Sequence, residues 1–151
     1  MFYVEDPWPH SEYQGVCFCC GLVLLIENRK GSTRSGVGKN GHKWSTLMHP
    51  HYGEIDGTRG ADNEPVDFYL CDEAESTTAY VIQQKVLGED ETGEAPPGSY
   101  DEDKVMIGFV SREEAVAAWR AHYDCELPEP HVVEVPNYEL RQWLIDNLYM
   151  D

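Results

Sequence analysis

The sequence predicts an α+β domain that is mainly β, with a small β-barrel or curled sheet flanked by helices. Short apolar segments with strand character come first along the chain, and two amphipathic helical patterns come last. The length of 151 residues suits one domain that is large enough to bury its own core. We therefore expect residues 1–151 to form a single domain.

The strand candidates occupy the first two thirds of the chain. Residues 1–15 are polar and aromatic with two prolines, which indicates an irregular lead-in or an added edge. Residues 16–26 are apolar on both alternating faces, which predicts one strand buried on both sides. Three further strand candidates follow at residues 66–70, 79–83 and 104–109.

Loops and helices complete the pattern. Residues 28–42 are rich in Gly, Ser, Lys and Arg and predict a mobile basic loop, and residues 88–98 predict a long flexible loop. Ser111 and Glu114 form a capping box that predicts a helix to about residue 122. Asn137 is expected to cap a last helix near residues 137–148.

The charge of the chain limits its functions. It has 28 acidic and 11 basic residues, which gives a formal charge of −17. We expect no direct binding to nucleic acid or to an anionic membrane, because phosphates attract clustered Lys and Arg. Three interpretations stay open: a solubilising surface, a carboxylate-lined metal site, or a negative decoy for a basic groove on another protein.

The cysteines indicate a cellular compartment. Five cysteines are an odd number, and three of them lie within residues 17–20. That pattern is not typical of a disulfide framework, so it favours a reducing cytoplasm.

The amino terminus lacks the pattern of a signal peptide. The apolar run at residues 16–26 is shorter than the ~20 residues that cross a bilayer.

An acidic segment carries the densest chemical signal. Asp62, Glu64 and Asp67 place three carboxylates within six residues. They cannot all be ionised close together without positive charge between them. Hard cations such as Mg²⁺ take oxygen ligands, so a divalent metal is the natural partner. A solvated acidic turn is the alternative interpretation.

The surroundings of this segment resemble a known family. Residues 51–67 contain Tyr-Gly-Glu-Ile and then Asp-Asn-Glu-Pro-Val-Asp. This order resembles the active-site segment of the soluble family I inorganic pyrophosphatases, which carry Asn-Tyr-Gly-Tyr-Ile followed by Asp-Gly-Asp-Pro-x-Asp. Further similar segments occur in the family's order at residues 25–28, 43–48, 101–104 and 122–123.

A closer likeness is to the pyrophosphatase-like domain of phage and mobile-element polyvalent proteins. The segments that carry it are residues 27–36, 52–67 and 101–109, and the whole resemblance covers roughly residues 22–123. It implies a core at 22–123 and a C-terminal extension at 128–151. It also implies a small five-stranded, OB-like, closed or partly open barrel with helices near 111–122 and 137–148.

The implied activity is Mg²⁺-dependent hydrolysis of pyrophosphate or a related phosphoanhydride, in the cytoplasm of a bacterial host cell. Mg²⁺, or alternatively Mn²⁺, would be held by six carboxylates, those of Glu27, Asp62, Glu64, Asp67, Asp101 and Asp103. The catalytic residues would be Glu64, as the base for the attacking water, together with Asp67 and Tyr52. The substrate would be bound by Arg34, Lys43, Lys104, Tyr52 and Tyr123. Glu102 stands two residues before Lys104, so the choice of ligand among Asp101, Glu102 and Asp103 stays open.

Four positions depart from the family pattern. Glu64 replaces an aspartate, Glu54 a tyrosine, Lys43 an arginine and Asp124 a phosphate-binding lysine. A longer carboxylate at position 64 displaces a preorganised group, and Lys43 loses bidentate phosphate binding. These changes keep a second hypothesis open. In it the chain is a catalytically reduced acidic binding protein that inhibits a host defence or nucleic-acid-binding complex through a basic protein partner.

Overall fold

The structure is a computed structural model that describes residues 3–7, 11–38, 41–71, 76–85, 100–123 and 129–151, without the side chains of residues 100 and 101. The strands of the described residues are β1 Val4–Glu5, β2 Gly15–Cys19, β3 Leu22–Asn28, β4 Thr33–Val37, β5 Lys43–Leu47, β6 His51–Ile55, β7 Asp67–Leu70, β8 Thr78–Lys85, β9 Tyr100–Ile107 and β10 His131–Pro136. The helices are α1 Arg112–Arg120 and α2 Leu140–Asp146, and a 3₁₀ turn at Asn137–Glu139 precedes α2.

Eight strands form one sheet in the order β1-β2-β3-β6-β7-β9-β8-β10, and β4 and β5 form a separate hairpin. All neighbours in the large sheet are antiparallel except β7 and β9, which are parallel. Within the described residues β1 and β10 do not pair with each other, so the sheet is open and consistent with a partly open OB-like fold.

The mainly β class and the two helices in the C-terminal half are therefore confirmed. The large sheet has eight strands instead of the expected five. The three additional strands lie at its edges: β1 and β2 extend one side, and β10 extends the other. The pairing of β1 with β2 makes the lead-in an added edge.

The prediction of one strand at residues 16–26 is wrong, because the chain reverses in the middle of this run. Cys20 and Gly21 have φ values of 58° and 73°, and β2 pairs antiparallel with β3 on either side of them. Positive φ at both central residues is characteristic of a tight two-residue hairpin turn. Both strands are largely buried, so the apolar pattern continues through the turn and hides it.

The predicted basic loop at residues 28–42 is wrong at residues 33–37, which form a strand. They are β4 of the β4–β5 hairpin, in which Arg34 pairs with Thr46 and Gly36 with Trp44. A Cβ at Gly36 would lie 2.5 Å from Trp44 Cζ2, so the glycine lets the indole lie across its strand. The expected loop at 88–98 lies outside the described residues.

The first predicted helix is confirmed, since the Ser111 hydroxyl accepts a hydrogen bond from the Glu114 amide (3.2 Å) at the start of α1. The predicted cap at Asn137 is wrong. Its side-chain amide instead donates to the Ser76 carbonyl (3.2 Å), and α2 begins only at Leu140. No helix in the described part of the chain is long and apolar enough to cross a membrane.

The alternation of side chains along the strands produces two apolar clusters. One contains Phe68, Val105 and Ile107 with the buried face of α2, and the other contains Tyr69 and Met106 with the buried face of α1. The second cluster also includes Tyr52. The polar residues that matter for function lie beside this second cluster.

Candidate active site

A buried lysine between two carboxylates forms the centre of the site. The parallel pairing of β7 with β9 sets Asp67 opposite Lys104. Lys104 Nζ donates to Asp67 Oδ2 at 2.5 Å and contacts Glu102 Oε1 at 2.8 Å. Burial lowers the pKa of Lys104, but Tyr52, Asp67 and Glu102 outweigh it and hold the pKa well above its usual value. Lys104 is therefore a fixed positive charge at the centre of the site.

Tyr52 links this centre to β6. Its hydroxyl donates to Asp67 Oδ2 at 2.8 Å, and burial raises its pKa. Two cations lie against its ring: Arg34 Cζ is 4.6 Å and Lys104 Nζ is 5.8 Å from the ring centroid. The negative face of an aromatic ring attracts such cations. Tyr52 thus helps to hold both positive groups in one place.

Arg34 comes to the site from the separate β4–β5 hairpin. Its guanidinium contacts the rings of both Tyr52 and Trp44, the latter at 5.1 Å. Arg34, Trp44 and Thr46 share the less exposed face of the hairpin, because alternate residues of a strand point the same way. The hairpin therefore brings a planar guanidinium cation to the sheet.

An aromatic and amide wall faces these cations. The buried Gln84 Oε1 accepts hydrogen bonds from Trp119 Nε1 (3.1 Å) and from the Tyr123 hydroxyl (2.6 Å). The imidazole of His122 stacks on Tyr69 with ring centroids 4.8 Å apart. Burial lowers the pKa of His122, which favours the neutral imidazole.

Glu27 adds negative charge at the edge of the site. Its pKa is raised by burial first, and then by the charges of Asp67 and Glu54. Arg34 and Lys104 oppose that rise without cancelling it. A further positive charge at this place would stabilise the ionised form of Glu27.

Gly53 explains part of the Tyr-Gly-x-Ile motif. A Cβ at Gly53 would lie 1.9 Å from the Leu25 carbonyl oxygen, at the register shift where β3 bulges against β6. Only glycine permits this close approach of the two backbones. The motif glycine therefore helps to place Glu27 on β3 beside Tyr52 on β6.

These groups surround two adjoining pockets. The inner pocket has a volume of about 260 Å³ and the outer pocket about 390 Å³. Both are lined by Arg34, Thr46, His122 and Tyr123. The inner pocket adds Met48, Tyr52, Tyr69, Gln84, Glu102 and Lys104, and the outer pocket adds His42, Lys43, Trp44 and Ser45.

The structure brings together only some of the expected site residues. Arg34, Tyr52, Lys104 and Tyr123 line the inner pocket, and Lys43 lines the outer one with an exposed side chain. Asp67 binds Lys104 and Tyr52. These six residues lie on five different strands and in the segment after α1, which only the fold joins.

Asp62 and Glu64 lie apart, on an exposed turn between β6 and β7. The Glu64 amide donates to Asp62 Oδ1 at 3.0 Å, as in a local Asx turn. The buried Thr58 hydroxyl closes the same loop by donating to the Ile55 carbonyl (2.6 Å) and accepting from the Val66 amide (3.0 Å). The side chains of Asp62 and Glu64 are exposed, whereas that of Asp67 is only 21% exposed.

Strand alternation separates the acidic residues that precede Lys104. Glu102 lies on the Lys104 face, whereas the buried Asp103 accepts a hydrogen bond from the Tyr149 hydroxyl beside the other apolar cluster. The Asp101 side chain and the whole of Asp124 lie outside the described residues. Among the side chains that the structure describes, no three His, Cys, Asp or Glu residues form a group that could hold a metal ion together.

The residues that line the site without having been assigned to it from the sequence include Glu102, Gln84 and Trp44. Glu102 was left as one of three alternatives, and its position two residues before Lys104 on a strand is the signal that favours it. Gln84 directly follows the predicted apolar strand at residues 79–83, and Trp44 lies just after the predicted loop at residues 28–42. Neither carries a local signal of a site.

Comparison with known proteins identifies the family of the chain. The chain has no significant match among curated proteins or among solved structures. The family model described as inorganic pyrophosphatase matches residues 10–145, which is most of the chain. The chain belongs to the inorganic pyrophosphatase family.

Proposed function

We propose that the chain is a Mg²⁺-dependent phosphoanhydride hydrolase of the inorganic pyrophosphatase type. The observation that supports it best is the inner pocket, where the two cations Arg34 and Lys104 share one cavity with the hydroxyls of Tyr52 and Tyr123. Phosphoryl transfer to water depends mainly on positioning the phosphates and neutralising their charge. These four groups supply both functions for a small dianionic or trianionic substrate.

Each cation has a distinct part in this proposal. Arg34 presents a planar guanidinium that suits two phosphate oxygens at once, while Lys104 contributes a compact charge at the base of the pocket. Tyr52 keeps its proton because its pKa is raised, and it would donate that proton to a phosphate oxygen once the substrate replaces Asp67 as the acceptor. Tyr123 donates its one hydroxyl proton to Gln84, so it would donate to the substrate only after turning away from Gln84.

The family generally uses a divalent metal, and the residues of this site suit one. Mg²⁺ is usually bound through one or two carboxylates together with waters and substrate phosphates, so a cage of three side chains is not required. Asp67 and Glu27 would hold it, and the raised pKa of Glu27 marks a place where a cation is favourable. On the sequence resemblance, Asp62 and Glu64 are proposed as further ligands, with Glu64 as the base. The bound ion would supply charge neutralisation and a more acidic water.

The origin and the cellular location of the protein are proposed from the sequence motifs. We propose a phage or mobile-element protein that acts in the cytoplasm of a bacterial host, where the thiols of Cys17, Cys19, Cys20 and Cys71 stay unbridged.

The acidic binding protein is not favoured as an alternative. The family match and the converging cations of the inner pocket support a site for a small phosphate compound instead.

The test compares phosphate release from pyrophosphate with Mg²⁺ for the wild type, Asp67→Asn and the control Asp56→Asn. Asp56 is an exposed residue after β6. We expect the Asp67 variant to lose at least tenfold in rate and the control to keep the wild-type rate. Mg²⁺ titration by calorimetry gives a second readout, in which Asp67→Asn weakens binding. Equal rates for all three proteins, or no phosphate release by the wild type, would refute the proposal.

A further inference from the structure

The inner pocket continues into the outer one, which the hydrolysis of pyrophosphate does not require. The inner pocket, at about 260 Å³, is smaller than the roughly 300 Å³ at the lower end of pockets for organic ligands, and it suits a small anion. The outer pocket, at about 390 Å³, falls within the range for organic ligands. The site as a whole therefore has room for a substrate with an organic part.

The lining of the outer pocket indicates which organic part it suits. Trp44 is half-buried and offers an indole, a surface on which planar rings stack. Thr46, on the same face of β5 as Trp44, adds a hydroxyl that can donate or accept hydrogen bonds. An indole with a neighbouring hydroxyl suits a flat heteroaromatic ring with polar edges, whereas Arg34, His42 and Lys43 in the same pocket suit further phosphates, and the experiment below separates the two.

The junction between the pockets also fits a nucleotide. Arg34 lines both pockets and contacts the rings of Trp44 and Tyr52, so one cation lies between the aromatic surface and the Lys104 centre. Lys43 lies on the exposed side of the outer pocket. A ligand that carries a base at one end and a phosphoanhydride at the other would place its negative end beside Arg34 and Lys104.

We propose that the substrate is a nucleoside di- or triphosphate, with its phosphoanhydride in the inner pocket and its base against Trp44. This inference rests on the proposed function. Water attacks the terminal phosphorus, a new P–O bond forms and the bridging P–O bond breaks. With a nucleoside diphosphate the products are inorganic phosphate, the nucleoside monophosphate and one proton released to solvent.

The experiment measures equilibrium binding of ADP, methyl diphosphate and tripolyphosphate, each as its non-hydrolysable methylene-bridged analogue, to the wild type in the presence of Mg²⁺. ADP and methyl diphosphate share one phosphoanhydride and differ in the nucleoside. We expect ADP to bind about tenfold more tightly than methyl diphosphate, which is typical of stacking one base on an aromatic side chain. ADP should also bind more tightly than tripolyphosphate.

Trp44→Leu and the matched control Leu47→Ala locate the effect. Leu47 is 53% exposed on the other face of β5. We expect Trp44→Leu to remove most of the tenfold advantage of ADP while the affinity for methyl diphosphate changes by less than about threefold. Leu47→Ala should retain the wild-type ratio.

Each contrary result has its own meaning. Equal binding of ADP and methyl diphosphate by the wild type overturns the nucleotide inference and leaves the proposed function standing. Equal losses for both ligands in Trp44→Leu show that Trp44 acts only through Arg34, and this also overturns the inference. Tighter binding of tripolyphosphate than of ADP overturns it in favour of a polyphosphate. Failure of all three ligands to bind refutes the proposed function itself.

Discussion

Asp67 and Lys104 face each other across the one parallel strand pair of the described sheet, with Lys104 Nζ 2.5 Å from Asp67 Oδ2. A parallel pair needs a long connection, and here that connection includes β8. The contact therefore unites an acidic motif and a basic motif that are far apart in the sequence. It forms only when β7 and β9 pair.

Replacement of Lys104 by methionine should destabilise the fold by roughly 3 kcal/mol, because it leaves Asp67 and Glu102 facing each other in a partly buried site. Urea unfolding at neutral pH measures the loss. Lys43→Met, at an exposed position, is the matched control and should change the free energy of unfolding by less than about 0.5 kcal/mol. Equal effects of the two changes would contradict this account of Lys104.

Replacement of Glu27 by glutamine should raise stability at neutral pH when no metal is present. Because the pKa of Glu27 is raised in the folded state, the folded protein binds a proton more readily than the unfolded chain. The wild type therefore loses stability as the pH rises through the folded pKa of Glu27. Below the ordinary glutamate pKa, both proteins carry a neutral side chain and the advantage of Glu27→Gln should disappear.

Thermal unfolding across the acidic to neutral range, with a chelator, measures this difference. Glu134→Gln on the exposed edge strand β10 serves as the control and should follow the wild-type curve. A Glu27→Gln protein that is no more stable than the wild type at neutral pH would contradict the prediction. Adding Mg²⁺ should then stabilise the wild type more than Glu27→Gln.

Gln84 should matter more for stability than its neighbour Gln83. Gln84→Leu removes the acceptor of the buried Trp119 N–H and of the Tyr123 hydroxyl, and an unsatisfied buried donor costs about 1–3 kcal/mol. Gln83→Leu, on the opposite and partly exposed face of β8, should cost less than about 0.5 kcal/mol. Denaturant unfolding compares the two, and the reverse ranking would contradict the assignment.

Gly53 should not tolerate alanine. The added Cβ would lie 1.9 Å from the Leu25 carbonyl oxygen, which is backbone and cannot rotate away. Separation of β3 from β6 should cost about 3 kcal/mol or more. The control is Gly60→Ala, where the nearest atom is a carboxylate oxygen of the flexible Asp62 side chain at 3.3 Å. Similar melting temperatures for both variants would show that the backbones are not in close contact.

Local patterns predicted the elements whose signal lies within a few residues. The capping box at Ser111 correctly indicated the start of α1, because a cap is made by neighbours in the sequence. The hairpin turn at Cys20 and Gly21 was missed, because apolar strands on both of its sides left no change of pattern. The β4–β5 hairpin was missed because its Gly and Ser content is typical of loops, whereas its pairing satisfies the backbone and its inner face meets Tyr52.

By itself the sequence determined the family, the mainly β class and five of the residues that line the pockets (Arg34, Lys43, Tyr52, Lys104 and Tyr123), because these depend on ordered motifs and on alternation along strands. Only the tertiary structure decided which carboxylate accompanies Lys104, since the pleat of β9 turns Glu102 toward the pocket and Asp103 toward Tyr149. It also decided that Asp67 pairs with Lys104 while Asp62 and Glu64 stay on an exposed turn. Contacts between distant segments depend on sheet pairing and register, and no short motif encodes either of them.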